Sequence, residues 1–136
     1  MIFLGTGAAE MIPSPFCDCE ICTHARQNRG IYYKKRSCFM IDETTVIDFG
    51  PDIGAACLEY GIDFCNLENI LVTHSHDDHL SFANLGLLSM SRKTFENPIH
   101  IYISAEGYNW CMSKLESLMP GVNLIPLGDD SAKIIV

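Results

Sequence analysis

An α/β fold, a mixed sheet with helices on one face, is predicted by three observations along these 136 residues. Short strand-like segments come first and are joined by tight turns. From the middle of the chain onward, strand-like and helix-like segments alternate. The helical segments carry one apolar stripe each, so each buries a single face, and a sheet is the surface that receives it.

Met1 to Leu4 is an apolar strand ending in the glycine-hinged turn Gly5-Thr6-Gly7. A polar, proline-bearing loop and a cysteine cluster follow, then a short helix over Cys22 to Gln27. Ser37 to Ile41 and Thr45 to Asp48 form two strands of a hairpin around Asp42-Glu43-Thr44. Pro51 suits a first helical turn, Ile53, Ala56, Cys57 and Tyr60 follow at i, i+3, i+4 and i+7, and Gly61 stops the helix. Asn69 to Thr73 is a strand that delivers the chain to His74, and a helix is expected from near Asp78 to about Met90. Pro98 to Ile103 is a strand, and Tyr108, Cys111, Met112, Leu115, Leu118 and Met119 make the stripe of the last helix. Val122 to Ile125 and Lys133 to Val136 are closing strands. Residues 1–136 are therefore expected to form one domain, and its ending inside an apolar strand suggests truncation on the C-terminal side.

Hydrophobic residues make up 48% and charged residues 19%, which excludes a disordered chain. No apolar run approaches the ~20 residues that span a bilayer, and Met1 to Gly5 is too short for a signal peptide, so no membrane partner and a cytoplasmic address are expected. The net charge of -8 argues against a surface coated with nucleic acid. Arg26, Arg29, Lys34, Lys35 and Arg36 nonetheless place five of the nine basic residues in one stretch. That stretch is either a solvated loop or a patch that receives an anionic substrate.

Seven cysteines, an odd number without a targeting segment, do not suit a disulfide scaffold. Cys17, Cys19 and Cys22 crowd together, and in a reducing compartment such crowding points to a metal site. Cys38, Cys57, Cys65 and Cys111 sit among apolar residues and are expected in the core.

The strongest signal is His74-Ser75-His76-Asp77-Asp78-His79. His74 and His76 lie two apart at a strand end, so both imidazoles face one side and can share a metal. Asp78 and His79 add an oxygen and a nitrogen donor that can address a second metal. Asp77 fits no ligand position and is expected in solvent.

This run resembles the HxHxDH signature of the metallo-β-lactamase superfamily, preceded by the strand Ile70-Leu71-Val72-Thr73. Val46-Ile47-Asp48-Phe49-Gly50 is similar to the family's strand-end Asp-x-Gly, and Gly5-Thr6-Gly7 to its glycine turn. The resemblance covers essentially the whole chain and implies the N-terminal half of a four-layer αββα sandwich. It implies that His74, His76, Asp78 and His79 bind two catalytic metals in the complete domain, that Asp78 serves catalysis, and that Asp48 buttresses their loop. Zinc is expected there, with manganese or iron also suited to such donors.

Cys17-x-Cys19-x-x-Cys22 resembles the cluster of phosphoribosyl cyclic phosphodiesterases and of PQQ-biosynthesis B-like proteins. That branch implies a structural zinc whose fourth ligand comes from near the C-terminus. His24 lies near the cluster but on the helix side of Cys22. The implied function is a metal-dependent phosphodiesterase acting on a small phosphorylated substrate, a cyclic phosphate of phosphoribosyl or nucleotide type. The alternatives are a tRNA-processing-nuclease-like or PQQ-B-like protein, or a non-catalytic zinc-binding fragment.

The family's further ligands, a third histidine, a bridging aspartate and a last histidine, have no clear counterpart downstream. His100 alternates with apolar residues and is expected as a strand residue, and Asp129 and Asp130 as turn residues. Without a second half the inner sheet face would be bare, which implies a fragment, a natural truncation, or a homodimer that covers the face.

Overall fold

The computed structural model describes residues 1–90, 97–114 and 119–128. Six strands form one sheet in sequence order: β1 (Ile2–Gly5), β2 (Cys38–Met40), β3 (Thr45–Ile47), β4 (Asn69–Leu71), β5 (Ile99–Ser104) and β6 (Val122–Leu127). The first three are antiparallel and the last three continue in parallel from β3, so the sheet is mixed as expected. Parallel neighbours need long crossovers. The helices α2 (Ile53–Tyr60) and α3 (Phe82–Ser89) lie in the first two crossovers, and α4 (Ala105–Lys114) in the last. The helix α1 (Glu20–Asn28) and a 3₁₀ turn at Gly30–Tyr32 belong to the long loop between β1 and β2.

The pairing registers assign the two faces. Met40, Val46, Ile70, Ile101 and Leu124 are successive cross-strand partners on one face. Together with Leu4, Ile99, Ile103 and Val122 they meet Ile53 and Ala56 of α2, Leu85 of α3 and Cys111 of α4 in one core. Each large side chain so buried contributes roughly 1.5–3 kcal/mol. Phe3, Phe39, Ile47, Leu71, Tyr102 and Ile125 are the corresponding partners on the opposite face. None of these six belongs to that core; five are half-buried and Phe3 is 67% exposed.

Several expectations need correction. The helix expected from Asp78 begins at Phe82, where the Ser81 hydroxyl caps it by accepting the Asn84 N–H at 3.4 Å. Residues 77–79 form a separate turn, because the His79 carbonyl accepts from Phe49 N–H and so leaves the helical pattern. In α4, Cys111 is fully buried but Met112 is 36% exposed, since it turns past the edge of the stripe. Cys65 is exposed rather than core, in a turn where its N–H donates to the Asp63 carboxylate at 2.8 Å. Gly61 ends α2 as expected, with φ +63°, a conformation that costs glycine little. Leu115 and Leu118, Asp129 and Asp130, and the strand expected over Lys133 to Val136 lie outside the described residues.

Candidate metal centre

The chain leaves β4 at Leu71 and reaches His74 three residues later, at the C-terminal edge of the parallel strands. Crevices beyond that edge are the usual ligand sites of open α/β sheets. The rings of His74 and His76 lie edge to face with centroids 4.6 Å apart, and His74 and His79 are 3.9 Å apart. Single nitrogen or oxygen donors from His74, His76 and Asp78 all fall within 4.8 Å of one another. His79 stands behind them, its Nε2 3.2 Å from Asp78 Oδ2. Asp77 is exposed, as expected. The donor set of imidazoles and a carboxylate, partly exposed on one side and anchored on the other, fits a divalent metal.

The anchor is Asp48. The residue is 2% exposed, and its backbone takes φ +63°, a region that few residues other than glycine adopt. The surroundings hold it there at every polar atom. Its N–H donates to Leu71 C=O at 2.8 Å, and its own C=O accepts the Cys38 thiol at 3.2 Å. Its carboxylate accepts Thr73 N–H at 2.9 Å, the Thr73 hydroxyl at 2.9 and 3.0 Å, and His79 Nδ1 at 2.6 Å. With the His79 proton on Nδ1, Nε2 keeps its lone pair on the metal side, which is the second-sphere arrangement typical of ligating histidines. The buttress role expected of Asp48 is thus present in the geometry. Burial pushes the Cys38 thiol up to about 12, with the nearby Asp48 charge adding to the effect, so that thiol stays neutral.

Two features of the site have roles that the sequence did not give, although Gly50 stands in the Asp-x-Gly match. The Thr73 hydroxyl bridges Asp48 to the rings of His74 and His79, at 3.1 and 3.2 Å from their Nδ1 atoms. The only sequence signal was its position beside His74. Gly50 lies so close to the metal loop that a Cβ there would sit 2.1 Å from the Asp78 carbonyl oxygen. Phe49 N–H donates to His79 C=O at 2.7 Å, Ser81 N–H to Phe49 C=O at 2.9 Å, and Asn84 Nδ2 to Gly50 C=O at 2.8 Å, which laces the two segments together.

The three cysteines also converge, with their sulfurs within 4.8 Å of one another. Cys22 is buried on α1, Cys17 half-buried in the loop, and Cys19 exposed at the helix start. The Cys22 backbone N–H, with hydrogen bonds to the Cys17 and Cys22 thiols, lowers the Cys19 pKa. Cys17 is lowered by the Cys19 backbone N–H but raised more by its contacts with the other two thiols. His24 is not in this group: it packs edge-on against Tyr32 at 4.7 Å, with its Nδ1 beside the Asn28 amide. The helix turns it away, two residues past Cys22.

His100 lies in β5 opposite Asn69, as expected for a strand residue. It is five residues back along the strand direction from the level of His74, roughly 16 Å at strand spacing, so it is too far to join the centre. The basic stretch is largely committed inside the fold. Lys35 pairs with Glu59, Arg36 with Asp52 at 2.8 Å, and Arg26 donates to loop carbonyls. Lys34 and Arg29 remain exposed.

No family model and no curated protein sequence matches the chain. Solved structures do match. A diphosphatase from the PhnP family superposes with a TM-score of 0.77 at 21% identity, covering 97% of this chain and 52% of its own. Zn(2+)-bound PqqB from Methylobacterium extorquens gives 0.67 at 18% identity, covering 93% and 46%. The short form of human tRNase Z gives 0.58 at 20% identity, covering 95% and 46%. Among the described residues no helix is long and apolar enough to cross a membrane. This chain has the metallo-β-lactamase fold, and it spans about half the length of the solved members it matches.

Proposed function

We propose that the complete protein is a metal-dependent hydrolase, a phosphodiesterase that opens a small cyclic phosphate of phosphoribosyl or nucleotide type. The observation that carries the reading is the convergence of His74, His76 and Asp78 within 4.8 Å at the strand edge. The 0.77 match to a structure described as a diphosphatase supports a small phosphorylated substrate over the tRNA-processing alternative, whose match is 0.58. The intact run from His74 to His79 and its buried aspartate weigh against a non-catalytic module.

His74, His76 and Asp78 would hold a metal, and zinc, manganese or iron all suit these donors. Bound there, the ion supplies Lewis acidity toward a phosphoryl oxygen and acidifies water. Asp48 and Thr73 keep the loop and the imidazole tautomers in place, and Asp78 orients the attacking water. In the net reaction one P–O bond to water forms as one ester P–O bond breaks. Cys17, Cys19 and Cys22 would hold a structural zinc, a donor set suited to that ion once a fourth ligand joins.

Asp78→Ala in the complete protein should lower hydrolysis of phosphoribosyl and nucleoside cyclic phosphates by more than about 100-fold, beyond the usual effect of a second-sphere change. Melting should hardly move, because the side chain is only partly buried. Activity close to that of the parent protein would remove Asp78 from the site.

We also propose that the face bearing Phe3, Phe39, Ile47, Leu71, Tyr102 and Ile125 takes up a second layer, for which a second copy of the chain offers the same row. Sedimentation of the 136-residue chain at dilute concentration should give a dimer. A well-behaved monomer would overturn pairing.

A further inference from the structure

We infer that Arg26 is the positioning residue of the three-cysteine site, an inference that rests on the zinc assignment proposed above. Arg26 lies one helical turn beyond Cys22 on α1, so both side chains rise from the same face of the helix. Its Nη2 donates to the Ser14 carbonyl at 2.7 Å and also to the Cys17 carbonyl. The Ser14 N–H in turn faces Cys22 Sγ at 3.4 Å. A closed circuit results: Cys22 holds Ser14, Arg26 holds Ser14 and Cys17, and α1 joins Cys22 to Arg26.

The circuit answers a physical difficulty of the site. Cys17 and Cys19 lie before the helix, in a loop with little burial of its own. An unpinned loop loses conformational freedom, residue by residue, when it closes on a metal. A single guanidinium nitrogen, Nη2, takes up that ordering in the apoprotein by donating to two carbonyls at once. It also brings a positive charge to the backbone of Cys17, on the segment that carries two of the three thiols. Among the described residues no carboxylate lies within ion-pair distance of Arg26, so its charge is not already neutralised as those of Lys35 and Arg36 are.

The test is metal affinity of the reduced, complete protein, with Arg26→Gln and Arg26→Lys beside the parent. Cobalt(II) reports the thiolates through its sulfur charge-transfer band, and zinc competition against a chromophoric chelator gives the dissociation constant. Arg26→Gln should weaken zinc binding about 10–100-fold, the range of second-sphere substitutions. Arg26→Lys, which keeps the charge but loses the planar head and its fixed pair of N–H donors, should recover part of that loss, and the recovered part should shrink as salt rises. Far-UV circular dichroism of the metal-free variants should match the parent, since Arg26 is exposed. Parent-like zinc affinity in Arg26→Gln would overturn the inference while leaving the zinc site intact. Absence of the cobalt–sulfur band in the complete parent protein would overturn the zinc assignment and the inference together.

Discussion

Gly50→Ala should cost the chain about 3 kcal/mol of stability or more and at least 10²-fold in metal affinity at the histidine centre. The new Cβ would lie 2.1 Å from the Asp78 carbonyl oxygen and 3.0 Å from its carbon, both backbone atoms that cannot rotate aside. Normal contact requires the two segments to part by more than about 1 Å. Overpacking of this kind costs roughly 1–3 kcal/mol. Parting the segments also weakens the bonds from Phe49 N–H to His79 and from Ser81 N–H to Phe49, at about 1 kcal/mol each. A displacement near 1 Å at Asp78 is enough to cost about 10² in a site built on geometry. Gly54→Ala is the matching control, because its Cβ would meet nothing within 4 Å on a helix. That substitution should be neutral or stabilising by about 0.5–1 kcal/mol. Urea unfolding and metal titration of the two variants decide the matter; equal behaviour would mean that the close approach at Gly50 does not position the metal loop.

Asp48→Ala should lower stability by about 2–4 kcal/mol and metal affinity about 10–100-fold. Removal of the carboxylate leaves Thr73 N–H, the Thr73 hydroxyl and His79 Nδ1 without their acceptor, in surroundings where Asp48 itself is 2% exposed. Alanine also tolerates φ +63° less well than aspartate or asparagine does. Asp48→Asn separates the two effects. It keeps the conformational tolerance and one acceptor oxygen, but cannot receive all the donors that converge there. Its stability loss should therefore be the smaller of the two, while its metal affinity still falls. Parent-like affinity in Asp48→Asn would show that the carboxylate does not orient His79 for the metal. The backbone strain at Asp48 fits such a role: it persists because Leu71 and Cys38 grip the main chain from two sides.

The metal centre was legible in sequence because its donors are contiguous. Six residues from His74 to His79 contain the whole cluster, and strand periodicity alone puts His74 and His76 on one side. The same holds for the thiols, gathered within six residues from Cys17 to Cys22. The strands and helices followed from periodicity and from turn residues such as Gly61, whose left-handed backbone only a few residues accept. The helix start after His79 was misplaced for a reason that local pattern cannot supply. Hydrogen bonds to Phe49, thirty residues away, pull His79 out of the helical ladder, and the helix begins only when Ser81 can cap it.

Charge shows the same division. Sequence grouped Arg26, Lys35 and Arg36 in one basic stretch, but the fold gives each a separate internal partner. Sequence by itself determined which donor residues lie together and the α/β class, because donor spacing and apolar period are local properties of the chain. Tertiary structure alone decided that Thr73 joins Asp48 to two imidazoles and that Gly50 abuts Asp78. Those are contacts between segments distant in sequence, set by strand order and register, which no local pattern of residues encodes.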